Sequence, residues 1–582
     1  MTIQENTTLR PASETRKIFL FLAALFVLNI LLYIGTIHYE FLKDDFRLIV
    51  ENPRVQDIKT FTQSIGSKFF SFPDYPYLHY WRPVSLFSFL IDYQLWGSNP
   101  HGYHLTNILI NAFNALLVFL VFYTLFKSIT SSFFISLLFS VHPTHVEAVS
   151  WISGRTDLLG AFFILSAMLL FILFLKTLRT ENALKKKIFL YASTLLLFIL
   201  GLLSKENSVL FPLMAAGLIA FLFWGEGKIK TLLVRYTLPF WFVDIVYLYL
   251  HNRFSGVGKV VAGFSLGDSV SILKTIGAYA KIILMPFFST FHFSMHRFDR
   301  ENIEFLAYLG GAVLVLVLMA VMRKKYKTSW FALLFFVFLL PVLNPEIVPS
   351  YPKIVIRFAY IPALFAGVFF IDTLNLLDNK SIKKIVIVAL ALVGITWGVE
   401  SYRFQEYFKN PYSHYEGLIA QDSEDSSLLL PFALIKAQDG DIATALSLTD
   451  RVLEVNKNDR WLDVSDMAGL LKANLLIISK RLEEGKQMAE RILSETRKDE
   501  MKYFGYLVLS KYYDMSGDYP AAVEMLEKAG GTGETGELYF RKTLLLVKLN
   551  KIEEARQSIR KARTFNPTDP KYEKLESLLA MN

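Results

Sequence analysis

Two adjacent carboxylates, Asp44 and Asp45, follow the first apolar run of the chain, in the stretch FLKDDFRLIVENPRV. Neighbouring carboxylates repel each other, so one pKa rises or a nearby cation keeps both ionised. A carboxylate in such a place can act as the general base that takes a proton from a hydroxyl group. A solvated acidic turn has the same sequence pattern, so the pair alone leaves both interpretations open.

Basic and aromatic side chains follow the carboxylate pair and could bind a phosphate. Arg82 lies in the run YWRP, and His101 and His104 lie in the run HGYH. Arginine beside aromatic rings suits a lipid phosphate or the face of a sugar. The same rings could equally form an aromatic belt at a membrane surface.

A second set of ionisable residues lies in the run HPTHVEAVSWISGRTD. The spacing of His142, His145 and Glu147 matches no zinc pattern because a proline interrupts it, so polar networks or substrate contacts are favoured over a metal. Arg155 and Asp157 stand where the next apolar run begins. Ionisable residues at the edge of a bilayer are expensive unless they are paired or functional.

A third pair, Lys205 and Glu206, stands between two apolar runs in LLSKENSVL. Several cations on the same predicted side of the membrane could together hold a phosphate, although a single one is more often a membrane anchor. The remaining cations of this set are Arg253, His292, His296, Arg297 and Arg357.

The composition excludes several kinds of chemistry. The chain has no cysteine, which excludes disulfides, Cys-ligated zinc, iron–sulfur clusters and thiol catalysis. It has no glycine-rich phosphate loop of the Walker or Rossmann type, so a soluble nucleotide cofactor has no support. The net charge of +9 divides into +12 for residues 1–400 and −3 for 401–582. The basic excess therefore lies in the apolar part, and nucleic-acid binding is not indicated.

Membrane helices must position these residues. With 53% hydrophobic and 19% charged residues, the chain of 582 residues holds more apolar surface than a soluble core would hide. Runs of about 20 apolar residues predict about eleven spans. The segment 271–291 is interpreted as an amphipathic or re-entrant piece that does not cross. The predicted spans are 17–37, 105–126, 131–141, 157–175, 188–203, 207–224, 232–250, 303–322, 328–343, 357–371 and 385–399.

The distribution of basic residues orients these spans. Arg16 and Lys17 place the N-terminus in the cytoplasm, and the later basic clusters also face inward when 271–291 does not cross. The first apolar run is interpreted as a retained signal anchor rather than a cleaved signal peptide, because no small-residue cleavage site follows it. The long connections then face outward, foremost 38–104. Function is therefore expected at the outer face.

From about residue 403 the pattern changes to pairs of amphipathic helices separated by turns. Turn signals at Gly440, Lys480, Gly517 and Asn550 lie 40, 37 and 33 residues apart. The last interval is close to the period of about 34 residues that is typical of tetratricopeptide repeats. The pattern favours four such hairpins over a plain helical bundle. Stacked hairpins form an extended concave surface, which suits a partner or a peptide.

The chain resembles the membrane glycosyltransferases that join a multi-span GT-C core to tetratricopeptide repeats. These include the transmembrane and tetratricopeptide-repeat protein O-mannosyltransferases and their bacterial relatives. The likeness runs in order through LKDDFRLIVENPRV, WRPVSLFSFLIDYQLWGSNPHGYHLTNILINAFNALLVFL, HPTHVEAVSWISGRTDLL, LLSKENSVL and IRFAYIPAL. It implies an all-α chain with a polytopic GT-C-type helix bundle at 1–402, including the outer loop 38–104. An α-solenoid at 403–582 follows on the non-cytoplasmic side.

The resemblance also implies a function, namely inverting transfer of a sugar from a polyprenyl-phosphate-linked donor to Ser or Thr hydroxyls of a protein that the repeats hold. The implied place is a bacterial inner membrane, with the active site and the repeats facing the periplasm or exterior. Asp44 or Asp45 corresponds to the catalytic base, and Asp44 is slightly favoured. The expected donor-phosphate or substrate contacts are Arg82, His101, His104, His142, His145, Glu147, Arg155, Asp157, Lys205, Glu206, Arg253, His296, Arg297 and Arg357.

One position departs from the family pattern. Relatives often have an acidic residue before the arginine of the last large outer loop, whereas Ile356 precedes Arg357 in this chain. The departure leaves the role of the arginine intact and puts its acidic partner in doubt.

Other functions stay open. Oligosaccharyl transfer from a pyrophosphate carrier would favour a divalent metal, with Asp44, Asp45 and Glu147 as ligands. A non-catalytic membrane scaffold would recruit partners through its repeats. A transporter is disfavoured, because its charged sites would be expected near the middle of the membrane.

Overall fold

A computed structural model of the chain describes residues 12–64, 71–72, 75–79, 81–180, 183–255, 266–284, 286, 309–311, 313–314, 317, 337–340, 355–376, 379–457, 462–565 and 570–581. These residues are almost entirely helical, which confirms the expected all-α class. The one sheet among them is a short antiparallel hairpin of β1 (Ser71–Phe72) and β2 (Tyr75–His79).

The apolar part of the chain forms a bundle of helices joined by short turns. Its helices are α1 (Ala12–Tyr33), α2 (Pro53–Gln56), α3 (Ile58–Ser64), α4 (Pro83–Trp96), α5 (Pro100–Phe126), α6 (Ile129–Ser140), α7 (Val146–Ser150), α8 (Arg155–Thr180), α9 (Leu184–Leu202), α10 (Phe211–Phe223), α11 (Ile229–Ser255), α12 (Leu266–Leu284), α13 (Tyr360–Leu376) and α14 (Lys380–Gln405).

Within the described residues, 6 helical stretches are long and apolar enough to cross a membrane. They are Ala12–His38, Pro100–Phe126, Ile152–Arg179, Glu206–Phe223, Ile229–Phe254 and Lys380–Phe408. Ile129–Ser140, Thr275–Leu284 and Ile356–Ile371 are shorter apolar helices. The chain is therefore a membrane protein, because helices satisfy their own backbone hydrogen bonds in lipid.

Two expectations about the spans stay predictions. The segments 303–322 and 328–343 lie almost wholly outside the described residues, so the count of about eleven spans is not tested. Helix α12 covers the first part of 271–291, and whether that segment crosses is equally untested.

The expected outer loop 38–104 contains regular structure. It includes α2, α3, α4 and the β-hairpin. Helix α4 has 14 residues and rises about 1.5 Å per residue, so it is too short to cross a hydrocarbon core of about 30 Å. A run of this length falls below the threshold for a span, which is why the sequence pattern left it within a loop.

Aromatic side chains fill the centre of the bundle. Phe211 of α10 lies 5.1 Å from both Phe198 of α9 and Phe240 of α11, measured between ring centroids. Phe171 of α8 meets the edges of the same cluster at 5.6 to 6.4 Å. Offset and edge-to-face contacts of this kind let helices pack closely. The cluster therefore holds the four helices α8, α9, α10 and α11 together.

From α15 onward the chain forms an array of helical hairpins. Its helices are α15 (Pro411–Gln421), α16 (Ser426–Gln438), α17 (Ile442–Val455), α18 (Leu462–Ile478), α19 (Leu482–Glu495), α20 (Asp499–Ser516), α21 (Tyr519–Thr532), α22 (Gly536–Lys548), α23 (Ile552–Phe565) and α24 (Pro570–Met581).

The four turns predicted from the sequence are the turns of four hairpins, α16–α17, α18–α19, α20–α21 and α22–α23. Gly440, Lys480, Gly517 and Asn550 all have positive φ, between 59° and 87°. A left-handed residue directly after a helix satisfies the last carbonyl groups and reverses the chain. The predicted hairpins are therefore confirmed.

The array is joined to the bundle beside the end of α1. In α14, Gln405 Nε2 donates to the carbonyl oxygen of Leu32 at 3.0 Å. The backbone N–H of Glu40 donates to the carbonyl oxygen of Lys409 at 3.0 Å. Because Asp44 lies only a few residues after Glu40, the hairpins begin at the same end of the bundle as the carboxylate pair.

Candidate active site

Hydrogen bonds fix Asp45 in the protein interior. Its side chain is fully buried, and the backbone N–H of Leu42 donates to its Oδ2 at 2.9 Å. The backbone N–H of Ser153 donates to its Oδ1 at 2.8 Å, and the Ser153 hydroxyl donates to the same oxygen. Burial raises the pKa of Asp45 to about 7, although these hydrogen bonds oppose the rise. Asp45 therefore anchors the loop, and both of its oxygens are occupied.

Asp44 differs from its neighbour because its side chain is exposed. The preceding residue, Lys43, has a φ of 51°, in the left-handed region that few non-glycine residues adopt. Surrounding contacts must hold such a backbone, and strain of this kind is concentrated at functional sites. One such contact comes from Trp151, whose Nε1 donates to the carbonyl oxygen of Leu42 at 3.0 Å. Of the two carboxylates, Asp44 is therefore the one that an acceptor hydroxyl can reach.

Two cations lie against the ring of Trp151, beside Asp44. Lys43 Nζ lies 5.5 Å from the ring centroid, and the Arg357 guanidinium lies 4.8 Å from it. Both cations interact electrostatically with Asp44. A carboxylate and two positive charges therefore share one edge of the site.

Glu147 is the acidic partner that the sequence lacks next to Arg357. It accepts a hydrogen bond from Arg357 Nη1 at 2.5 Å and one from the Arg357 backbone N–H at 3.1 Å. Burial raises the pKa of Glu147, but Arg357 and Lys43 outweigh burial and hold this pKa below its usual range. Glu147 therefore stays ionised and orients Arg357.

A pocket opens beside Arg357. Its Nε lies 3.5 Å from Asp157 Oδ2, and Asp157 also pairs with Lys205. Burial lowers the pKa of Lys205 to about 8, against the opposing effect of Asp157. The polar lining of the pocket is Asp157, Lys205, Asn207, Ser208 and Arg357, and its apolar lining includes Phe338 and Phe358.

Arg82 and Glu206 form a second ion pair near this pocket. Arg82 Nε and Nη2 each donate to one Glu206 oxygen at 2.8 Å, although 124 residues separate them. His251 Nε2 of α11 lies 3.7 Å from Glu206 Oε1. Since Arg82 also interacts electrostatically with Lys205, the pair belongs to the same cluster of charged side chains.

Arg155, which the sequence predicted to contact the donor, lies in the protein interior. Its side chain is fully buried, and its Nη1 lies 2.6 Å from Asp92 Oδ2. Its Nε donates to Asn107 Oδ1 at 2.7 Å, and its Nη2 donates to the carbonyl oxygen of Tyr103 at 2.8 Å. No part of the side chain is open to a substrate in this structure, so Arg155 holds α4, α5 and α8 together.

Three expected substrate contacts, His104, His142 and His145, are also buried. His142 Nε2 bonds the carbonyl oxygen of Ile283 at 3.0 Å, and burial lowers the pKa of His142 to about 4. His145 Nε2 bonds the carbonyl oxygen of Tyr360 at 3.1 Å, and burial lowers the pKa of His145 well below its usual value. The rings of His142 and His145 are therefore neutral, pack between segments of the bundle and present no charge to a phosphate.

The remaining expected residues do not line the pocket or lie outside the described part of the chain. His101 is exposed and meets His38 with a ring-centroid distance of 5.7 Å. Arg253 is exposed near the end of α11. His292, His296 and Arg297 lie outside the described residues.

Sequence reasoning missed several residues that shape the site. Lys43, Trp151 and Ser153 lie within the quoted motifs, yet nothing in their spacing assigns them a contact. Asp92 gave a usable signal, because a lone carboxylate in the apolar run LFSFLIDYQLW requires a partner.

The described residues contain no group of three or more His, Asp or Glu side chains placed to hold a metal ion.

In sequence, the chain is similar to animal protein O-mannosyl-transferases. One from Drosophila melanogaster is 35% identical over 150 residues, which cover 25% of this chain and 18% of the relative. One from Caenorhabditis elegans is 32% identical over 198 residues, which cover 32% of this chain and 26% of the relative. One from Homo sapiens is 40% identical over 89 residues, which cover 15% of this chain and 10% of the relative. The matched segments thus span about a quarter or less of these relatives. No family model matches the chain.

Two solved structures share part of its shape. The oligosaccharyltransferase AglB from Archaeoglobus fulgidus, in complex with an inhibitory peptide and a dolichol-phosphate, is 13% identical with a TM-score of 0.42. The likeness covers 70% of this chain and 58% of that one. A tetratricopeptide repeat protein from Parabacteroides merdae is 19% identical with a TM-score of 0.27, over 46% of this chain and 98% of that one.

Proposed function

We propose that the protein is an inverting GT-C-type glycosyltransferase that moves a sugar from a polyprenyl-phosphate-linked donor to Ser or Thr hydroxyls of proteins. One observation carries the proposal: the exposed carboxylate of Asp44 interacts electrostatically with Lys43 and Arg357, and Arg357 lines the same pocket as Lys205. Similarity to protein O-mannosyl-transferases supports a protein hydroxyl as the acceptor.

Asp44 is the general base of this reaction. It accepts the proton of the acceptor hydroxyl while the hydroxyl oxygen attacks the anomeric carbon of the sugar. The bond from that carbon to the phosphate oxygen breaks, and the lipid phosphate leaves with the electron pair. One displacement of this kind inverts the anomeric carbon. A hydroxyl with a pKa far above 7 needs such a base because it is otherwise a weak nucleophile.

Arg357 and Lys205 stabilise the negative charge that develops on the leaving phosphate. Glu147 and Asp157 engage Nη1 and Nε of Arg357, which orients the guanidinium before the donor binds. Charges held in place in a site of low dielectric act on the transition state without first reorganising. Arg82, which donates to both oxygens of Glu206, adds a further guanidinium to this cluster of charged side chains.

We assign residues 1–402 to a catalytic membrane domain and 403–582 to a repeat domain that presents the acceptor protein. In support, the backbone N–H of Glu40, four residues before Asp44, donates to the carbonyl oxygen of Lys409, just before α15, at 3.0 Å. We place the protein in a bacterial inner membrane, and the positive-inside bias supports an orientation in which the site and the repeats face the periplasm or exterior.

A donor comparison tests the proposal. The full-length protein, in lipid nanodiscs, is given an acceptor peptide and either a polyprenyl-phosphate sugar, a polyprenyl-pyrophosphate oligosaccharide or a nucleotide sugar. We expect glycopeptide from the first donor alone, with and without a chelator. Transfer from the pyrophosphate donor that stops with the chelator would establish the oligosaccharyltransferase alternative. No transfer from any donor, with partners still recruited through the repeats, would establish the scaffold alternative.

A further inference from the structure

Asp92 of α4 and Arg155 of α8 form a buried ion pair. The Nη1–Oδ2 distance is 2.6 Å, and the side chains are 4% and 0% exposed. Thr106 Oγ1 donates a hydrogen bond to Asp92 Oδ1 at 2.9 Å. The pair fixes α4 to the first turn of α8. A buried pair of this kind tends to add little stability over apolar packing, which leaves a specific geometry as a reason for its presence.

The turn before Arg155 is the part of the protein that holds the carboxylate loop. Ser153 donates two hydrogen bonds to Asp45, and Trp151 donates one to the carbonyl oxygen of Leu42. Gly154 lies so close to Ala148 that an added Cβ would come within 2.6 Å of its carbonyl oxygen. Arg155 directly follows this tightly packed turn.

We propose that Asp92 and Arg155 are positioning residues that set the location of Asp44. The chain of contacts runs from Asp92 through Arg155 to Ser153, and from there through Asp45 to the neighbouring carboxylate. Neither member of the pair touches the pocket beside Arg357. The proposal rests on the function proposed above, and its catalytic consequence follows because a reacting group displaced by about 1 Å can lose roughly 100-fold in rate.

The substitution Asp92→Asn tests this with two measurements on the full-length protein in nanodiscs. The first is hydrogen exchange, followed by mass spectrometry, in peptides that cover 38–50 and 150–156. The second is sugar transfer, resolved into kcat and the KM for the donor. Ser136→Ala is the matched control, because it removes one buried hydrogen bond, from Ser136 Oγ to the carbonyl oxygen of Ala115, elsewhere in the bundle.

We expect Asp92→Asn to speed exchange at Leu42 and Ser153 by about tenfold or more, while the repeat helices keep their protection. We expect kcat to fall about 10- to 100-fold, with the donor KM within about twofold of the parent protein. Ser136→Ala should leave the exchange at Leu42 and Ser153, the kcat and the donor KM nearly unchanged. A variant that only weakened the whole bundle would instead speed exchange everywhere and resemble the control in kcat per folded molecule.

Unchanged exchange at 38–50 in Asp92→Asn overturns the proposal, and so does faster exchange with an unchanged kcat. If Asp92→Asn unfolds the bundle, Arg155→Lys carries the test, because it keeps the charge and removes the forked geometry. Arg155→Lys should speed exchange at Leu42 and Ser153 alone. Protection of these two residues equal to that in Ser136→Ala overturns the proposal. If the parent protein transfers no sugar, the proposed function fails, and the exchange data still decide whether the pair holds the loop.

Discussion

Glu147 and Arg357, 210 residues apart in the chain, form an ion pair with an Nη1–Oε1 distance of 2.5 Å. The pair joins α7 to the helical turn Ile356–Ala359, which directly precedes α13. It also holds the arginine against Trp151, within electrostatic reach of Asp44. The relation between these two residues is what turns separate sequence motifs into one site.

Replacing Glu147 with Gln should weaken binding of the donor. The neutral amide leaves Arg357 without its main counter-charge and without the contact that orients it, so we expect the donor KM to rise about tenfold. Steady-state transfer kinetics measure the effect. Glu226→Gln is the matched control, because Glu226 pairs with Arg179 in an exposed position. Equal donor KM values for the two variants would contradict this role.

The donor KM should depend on pH through Lys205. Burial lowers the pKa of this amine to about 8, so it is charged below pH 8 and becomes neutral above it. We expect the KM for the donor to rise about tenfold between pH 7 and pH 9, because a neutral amine no longer attracts the phosphate. Lys205→Arg stays charged over this range and should flatten the profile. The same rise in both proteins would assign the titration to another group.

Asp45 should make the folded protein less stable as the pH rises. Its pKa is about 7 in the folded protein against 3.8 ordinarily, so the folded state holds the proton over a range where the unfolded state has lost it. The free energy of unfolding therefore falls as the pH rises from about 4 to 7, by roughly 2 to 4 kcal/mol. Unfolding in detergent at pH 5 and pH 8 measures this. Asp45→Asn should be less stable overall and should lose most of the pH dependence; an unchanged dependence would contradict the assignment.

The repeats should govern use of the acceptor without affecting the donor. An added Cβ at Gly485 in α19 would lie 2.6 Å from the carbonyl oxygen of Ala473 in α18. Gly485→Val should therefore separate these helices, lower the melting temperature of the array and raise the KM for a protein acceptor several-fold. Ser494→Val, on the exposed side of the same helix, is the control. A changed donor KM in Gly485→Val would contradict separate roles for the two parts.

Local patterns in the sequence were enough to predict the helical elements. The turns at Gly440 and Gly517 were predictable because the end of an amphipathic helix at a left-handed residue depends only on the few residues around it. Helix α4 was not, because its 14 residues are too few for a span and no local signal separates such a helix from a loop.

The contacts of the site could be predicted only in part. Sequence order does not distinguish Asp44 from Asp45, because the difference comes from Ser153, more than a hundred residues later. Arginine is a residue type that commonly binds phosphate, but the burial of Arg155 against Asp92 depends on how α4 packs. Residue type therefore located the chemistry, and tertiary contacts decided which group is exposed.

The rate of sugar transfer by Asp44→Asn, compared with the parent protein and Asp45→Asn, tests the proposed base most directly. All three full-length proteins are assayed in nanodiscs with a polyprenyl-phosphate sugar and an acceptor peptide, and their melting temperatures are recorded alongside. Asp44→Asn should melt with the parent protein, bind the donor equally well and lose about 100- to 10,000-fold in kcat, because a general base contributes about that much. A folded Asp44→Asn protein that transfers sugar at a rate close to that of the parent would contradict Asp44 as the base.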